Sequence, residues 1–518
     1  MRKTRLISFL LCALLFCSCS QTPADTSSDT NSSDDQNATS AWTVSEGMSV
    51  DGNTISTTEN TKVHTAYASS PLPKYFTVIA DLTFESKGYA KVYIESEFKD
   101  DEAESGISIT VDTRTNSLLV HLCSKGTLKL QSSQKIEAVC DSYSLKISRL
   151  GAYLDVYLYS NNSPEEPVAY SSLKLNRQKG DTHAISLCGK VTMSDYSAKE
   201  NTQGNLSGTY TNPILSINKD LGDPTVYYED GKYYMLTTGR MNCYVSEDLV
   251  NFTDIGPIAD TKSLFGKTYF GGGSIFKHDG IYYLFYTSYK PDTDNTVIMC
   301  VATSDNVTGP YTQTKQTMVN EEVCPLKSAG AFAYEAPDKK TYLYWYETIS
   351  ATGNTIFGAE AEFKDGVVTV KKETKKQLVI PSEPWETKSE NGASGRVVER
   401  PNVFYHNGYY YLFYAGSHWK TSYGQGYAVS TSPLGDFVKY QNNPILDSTS
   451  SLHGVGCTYI TYSPDKSELF FVYHAHTSEA TLTRNVCIDR VIFVKDTNGG
   501  ADIVKVIGPT VTPQANPK

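Results

Sequence analysis

Five times beyond Asn212 the chain repeats one pattern: a few β-prone residues, a short polar turn, then an aromatic-rich strand. The units are Asp223–Leu236, Gly273–Tyr286, Ala331–Tyr346, Glu399–Tyr414 and Cys457–Tyr473. Three turn on Asp-Gly or Asn-Gly (230–231, 279–280, 407–408), where a tight hairpin needs positive φ, and two on Pro-Asp-Lys (337–339, 464–466). Each unit therefore predicts two antiparallel strands. Hairpins recurring at roughly 50- to 70-residue intervals suit four-stranded blades set radially about an axis, whereas a sandwich would not repeat its hairpin so regularly. The expected fold class is all-β, with a five-bladed β-propeller over 208–510. Blade closure would leave the first residues of each unit lining a central funnel.

Upstream, over 41–201, short alternating stretches such as Phe76–Phe84, Ala90–Glu95, Ile107–Val111 and Leu154–Tyr159 are separated by polar turns. They predict an antiparallel β-sandwich of the jelly-roll, concanavalin-like kind. Fold alone leaves it open whether such a domain is a spacer or a carbohydrate-binding module. Residues 19–40, after Cys19, are Ser, Thr, Asp, Asn, Gln, Ala and Pro with no aromatic, a composition unable to offset its own ordering entropy, and read as a flexible linker. Residues 1–18 combine basic Arg2, Lys3 and Arg5 with the apolar run Leu6–Phe16, the pattern of a secretion signal. The ending Phe16-Cys17-Ser18-Cys19 resembles a bacterial lipoprotein box, with Cys19 the lipidated residue; a plain cleaved signal is the other reading. Membrane contact is then expected through the anchor alone, at the cell surface.

A net charge of -11 argues against a nucleic-acid partner, which needs an excess of Lys and Arg to neutralise phosphates. The 37 tyrosines favour strands and supply surfaces for stacking on flat ligand faces, which sugars present. Cys123, Cys140, Cys188, Cys243, Cys300, Cys324, Cys457 and Cys487 show neither metal-ligand spacing nor a disulfide framework, and read mostly as small buried hydrophobes.

Two units carry a carboxylate just ahead of a proline: Asp223-Pro224 and Glu399-Arg400-Pro401, each proline seven residues before its hairpin glycine. Carboxylates at near-equivalent blade positions would face each other across the funnel, the arrangement glycosidic hydrolysis requires. Either alone reads equally well as a turn carboxylate or a hydrogen-bonded blade cap.

These segments together resemble glycoside hydrolase family 43, the inverting arabinanases, arabinofuranosidases and β-xylosidases on five-bladed propellers. Gly222–Tyr234 looks like the family's first-blade base motif and Val398–Gly416 like its Glu-x-Pro acid motif; Trp385-Glu386, Ser430–Phe437 and Tyr473–His476 add to the match. The resemblance implies Asp223 as general base, Glu399 as general acid, and a carboxyl separation of about 6.5–9.5 Å that admits a water. The chain departs from the family in its third blade, where an Asp that tunes the acid is replaced by Gly330 or Ala331, and Glu335 should face outward. In the second blade Gly271-Gly-Gly-Ser274 implies a roomier subsite, with Ser274 lining it. Softer candidates for the sugar are Phe270, Trp419 and Arg484, with Tyr269 and Trp345 also near the funnel mouth. His453 resembles a family histidine under the funnel that helps hold a calcium or a water, and reads equally well as a hydrogen-bonded core histidine; no cofactor is required and a structural Ca2+ stays optional. The expected activity is inverting hydrolysis of arabinose- or xylose-containing polysaccharides or oligosaccharides. Its rival is a surface glycan-binding protein that has lost catalysis with the third carboxylate.

Overall fold

The structure, a computed structural model, describes residues 42–518 apart from 58–60, 101, 137–138, 202–207, 240, 389–394, 421, 479, 481–482 and 497–498. The expected secretion signal, the lipidation candidate Cys19 and the expected linker lie outside the described residues. Residues from Ala41 to Lys518 form one compact unit. None of the described residues forms a helix long and apolar enough to cross a membrane.

Residues 42–200 build two seven-stranded sheets. One contains, in spatial order, Trp42–Val44, Val63–Ala68, Thr182–Cys188, Tyr89–Lys99, Glu102–Asp112, Ser117–Ser124 and Thr127–Lys135. The other contains Ser163–Lys174, Tyr153–Ser160, Ser142–Leu150, Phe76–Phe84, Val191–Glu200, Thr54–Thr57 and Met48–Asp51. Alternation decides which side chains enter the core: along Tyr153–Ser160 the buried positions are Leu154, Val156, Leu158 and Ser160, and the others face away. The inward residues of both sheets share one hydrophobic cluster, including Val78, Val92, Ile109, Ile147 and Val156.

Five further sheets follow as blades: Thr225–Pro257, Lys267–Met318, Ser328–Val379, Val398–Lys439 and His453–Ile507. The turn residues adopt the predicted positive φ: Asp230 and Gly231, Asp279 and Gly280, Asn407 and Gly408, with Lys339 and Lys466 in the two Pro-Asp-Lys turns. Between adjacent blades lies an apolar layer; Tyr283 and Phe285 of the second meet Trp345 and Phe357 of the third, and Val226 and Met235 of the first meet Phe470 and Val472 of the fifth. The ring closes twice. Thr209–Tyr210 pairs with Gln514–Ala515, and Ile214 N and Val486 N donate to Val486 O and Leu215 O at 2.9 and 3.0 Å.

Each innermost strand breaks register at the same place. Pairing slips by one residue between Gly271 and Ser274, Ala329 and Phe332, Glu399 and Asn402, and Gly456 and Tyr459. In the first blade Thr238 N donates to Gly222 O at 2.7 Å while Thr225 is paired with Leu236, the same one-residue slip. One residue in each bulge is left-handed: Asp223 (φ 53°), Gly272 (56°), Gly330 (65°), Arg400 (55°) and Cys457 (54°). A bulge re-aims the residue it carries, and here five of them turn toward the propeller axis. Three are not glycine, and a left-handed non-glycine residue persists only where its surroundings hold it there.

Candidate active site

The ring of Asp223, Gly272, Gly330, Arg400 and Cys457 floors the funnel. The two glycines leave space that Arg400 fills. A Cβ at Gly272 would run into the Arg400 guanidinium, and one at Gly330 would lie 2.9 Å from the Tyr346 ring and 3.4 Å from Arg400 Cδ. The roomier second-blade subsite expected from Gly271–Gly273 is thus corrected: the room belongs to a side chain from the fourth blade.

Arg400 Nη2 donates to Asp223 Oδ2 at 2.8 Å, and Thr238 Oγ1 donates to the same oxygen at 2.8 Å. Oδ1 receives Arg484 Nη1 at 3.2 Å and the Cys457 thiol at 3.2 Å. Asp223 N donates to His474 Nδ1 at 3.0 Å, and burial, with Arg484 adding to it, holds this imidazole neutral, so its 3.7 Å approach to Oδ1 is not an ion pair. Burial alone would raise the Asp223 carboxyl; the guanidiniums of Arg400 and then Arg484 outweigh it and hold the group far below the usual carboxylate range.

Glu399, one residue before the ring and half-buried, goes the other way. Burial pushes its carboxyl up, against Arg400 and a hydrogen bond from Tyr423 OH to Oε1, while Asp223 adds to the rise and Asn354 Nδ2, donating to Oε2 at 2.9 Å, opposes it. Cys457 Sγ lies 3.5 Å from Tyr423 OH, so polar contacts run unbroken from Asp223 through Cys457 and Tyr423 to Glu399. The ring member equivalent to Asp223 in the fourth blade is Arg400, not Glu399. The third-blade position has no carboxylate, and Glu335 is exposed and paired with Lys339 at 3.2 Å.

The softer candidates divide. Arg484 enters the site, clamped by Asp220 through Nε at 2.9 Å and Nη2 at 2.6 Å, and its guanidinium carbon lies 5.0 Å from the Trp419 ring centroid. Phe270 does not: its ring is 7% exposed in the layer between the first two blades, against Tyr286. Its neighbour Tyr269 has the site-facing phase and feels the charges of Arg400 and Asp223. Trp345 is buried, with Nε1 donating to Glu347 Oε1 at 2.8 Å. Ser274 is buried, its hydroxyl donating to Ala331 O at 2.6 Å, a tie between the second and third blades. His453 starts the fifth inner strand, and Cys457, four residues on, takes the axial position in that blade.

Beneath the ring an axial cavity of about 30 Å³ is bounded by residues of all five blades, among them Thr225, Ser274, Ala331, Asn402 and Thr458. At roughly 10–15 Å³ per water it holds about two waters, so a sugar ring has to sit above the ring residues. Among the described residues, Asp223, Cys457 and His474 bring ligand atoms within 4.8 Å of one another. This set does not suit Ca2+, which takes six to eight oxygens: it offers one carboxylate already met by two guanidiniums, a thiol that burial keeps protonated, and an imidazole. His453 is not part of it. The eight described cysteines are all free.

Residues 210–498 match the family of glycosyl hydrolases family 43. The chain belongs to that family. Its curated relatives include an extracellular endo-α-(1→5)-L-arabinanase (arabinanase 2) of Bacillus subtilis (strain 168), 26% identical over 185 residues, 35% of this chain and 38% of that protein. The match thus spans well under half the relative's length. Among solved structures, a thermostable family-43 glycoside hydrolase is 29% identical with a TM-score of 0.53, over 60% of this chain and 99% of the other. An endo-1,4-β-xylanase of Bacteroides thetaiotaomicron VPI-5482 is 27% identical with a TM-score of 0.48, over the same shares.

Arg400, Cys457, Tyr423 and Asn354 are site residues that sequence reasoning did not single out. For Arg400 a signal existed. It stands before Pro401 as Asp223 stands before Pro224, so the prolines align it with Asp223 and leave Glu399 one step earlier. Nothing comparable marks Tyr423 or Asn354, which reach Glu399 from just ahead of the third strand of the fourth blade and from the start of the third strand of the third blade.

Proposed function

We propose that this family 43 protein is an inverting glycoside hydrolase acting on arabinose- or xylose-containing polysaccharides or oligosaccharides, with Glu399 the general acid and Asp223 the general base. One observation carries the reading: two carboxyl groups at the funnel floor are pushed in opposite directions, Glu399 up and Asp223 down. Such a split is how a site keeps one carboxylic acid protonated to donate and another ionised to accept. Burial pushes Glu399 in the same direction as a third carboxylate would have. Asp223 meets four side-chain donors, and water gains access when one of them yields. The arabinanase relative supports the arabinose side of the substrate class and, being extracellular, an extracytoplasmic site of action; the finer reading is a lipid anchor on Cys19 at the cell surface.

The test is a panel of aryl-arabinofuranoside, aryl-xyloside, aryl-galactoside, arabinan and xylan with wild type and Glu399→Gln. Release from the arabinose or xylose members that Glu399→Gln abolishes is the expected result. Release that survives the substitution removes Glu399 from its role, and retained polymer binding with no release on any member overturns the hydrolase reading.

A further inference from the structure

The seam between the sandwich and the fifth blade holds a second cavity, which the reaction does not use. The outward face of the sandwich sheet carrying Tyr153–Ser160 and Ser163–Lys174 is covered by two propeller segments. Val511 N donates to Ser172 Oγ at 3.1 Å and Thr512 Oγ1 to Asp155 Oδ1 at 2.8 Å; Lys174 N donates to Ser451 Oγ at 2.9 Å and Ser450 N to Gln131 O at 3.0 Å. Between these ties the surfaces part, leaving a cavity of about 340 Å³. Its lining includes Tyr153 and Lys174 from the sandwich and Thr211, Ser450, Ser451 and Thr477 from the propeller.

Its place and chemistry point the same way. Thr477 follows His476, whose Nε2 lies 3.2 Å from Trp419 O; Trp419 stacks by Arg484, and Arg484 touches Asp223. The cavity thus opens beside the same strand ends of the fifth blade that frame the funnel. Its walls combine a half-buried aromatic ring, hydroxyls and one ammonium group, and Ser450 Oγ is buried with no hydrogen-bond partner. A purely apolar ligand would leave that hydroxyl unsatisfied, whereas a sugar offers a C–H face to Tyr153 and hydroxyls to the rest. The volume lies at the lower end of the roughly 300–1,000 Å³ of ligand sites, enough for a sugar unit or two.

We infer that this seam is a distal subsite for a neutral sugar unit of the polymer whose scissile bond lies in the funnel, so that the sandwich is a working part of substrate recognition. The inference rests on the hydrolase reading for its ligand class. Tyr153→Ala removes the stacking face, and Thr477→Trp, at an exposed rim position, fills the cavity while leaving the ties in place. Both variants are expected to raise KM on arabinan or xylan roughly two- to tenfold, the worth of one aromatic contact, with kcat on polymer and kcat/KM on the aryl-glycoside unchanged. Affinity gel electrophoresis in the same polymers, on the Glu399→Gln background, should show retardation that either variant reduces. Polymer KM and retardation unmoved by Thr477→Trp overturn the subsite, even if Tyr153→Ala alters stability. An equal loss on the aryl-glycoside also overturns it, since a distal subsite cannot affect a one-unit substrate. Retardation lost only in the presence of free phosphate, not of free sugar, assigns Lys174 an anion instead and overturns the neutral ligand. Failure to cleave any panel member strikes the hydrolase reading alone, because the electrophoresis arm still reads the subsite.

Discussion

Each half of the molecule holds a carboxylate on a left-handed bulge residue bound to an arginine, and the two pairs do different work. In the sandwich, Glu95 (φ 51°) takes Arg149 Nε at 2.8 Å and Nη2 at 3.0 Å; Gln178 N completes the carboxylate at 2.8 Å and Leu175 O takes Arg149 Nη1 at 3.0 Å. Both side chains are sealed, at 0% and 1% exposure. In the propeller, Asp223 (φ 53°) is bound by Arg400, which retains 13% exposure beside a half-buried Glu399. Strained backbone and buried charge are therefore common to both. What separates a structural pair from a reactive one is whether every donor and acceptor is already taken by backbone or whether one can be exchanged for water or substrate.

Four substitutions break or sharpen this contrast. Glu399→Gln should lower kcat on the cleaved aryl-glycoside by about 10²–10⁴-fold, the worth of a positioned acid, with the urea unfolding midpoint unmoved. Arg149→Met, which strands Glu95, should do the reverse: a loss of about 3–5 kcal/mol in denaturant unfolding, with kcat/KM on the aryl-glycoside retained in the protein that remains folded. Gly272→Ala should cost about 1–3 kcal/mol, because a side chain there is strained at φ 56° and meets the Arg400 guanidinium, and it should also disturb activity. The subtlest is Arg400→Met. Arg400 lowers the carboxyls of both Asp223 and Glu399, so its removal raises both. The base then protonates at higher pH as pH falls and the acid ionises at higher pH as pH rises, so both limbs of the pH–rate profile should move alkaline. A profile that stays in place would show Arg400 to be packing alone.

The chain's own order of residues was enough for the five hairpins, because positive-φ turns at Asp-Gly, Asn-Gly and Pro-Asp-Lys are local chemistry, and enough for the sandwich strands, whose period-two alternation is local as well. It also pointed to Asp223, Glu399, Arg484 and Trp419, which the fold brings to one place. What faces the axis was decided only in three dimensions. A one-residue bulge in each inner strand reverses the pleat between the residues before it and those after it, so that Phe270 lies in the interblade layer and Tyr269 faces the site, and Arg400 rather than Glu399 stands opposite Asp223. Gly272 and Gly330 read as empty space along the chain, but 128 and 70 residues later comes the side chain that fills them. Local sequence carries φ, pleat and turn; the occupant of a void comes from another blade, and only closure of the ring brings it there.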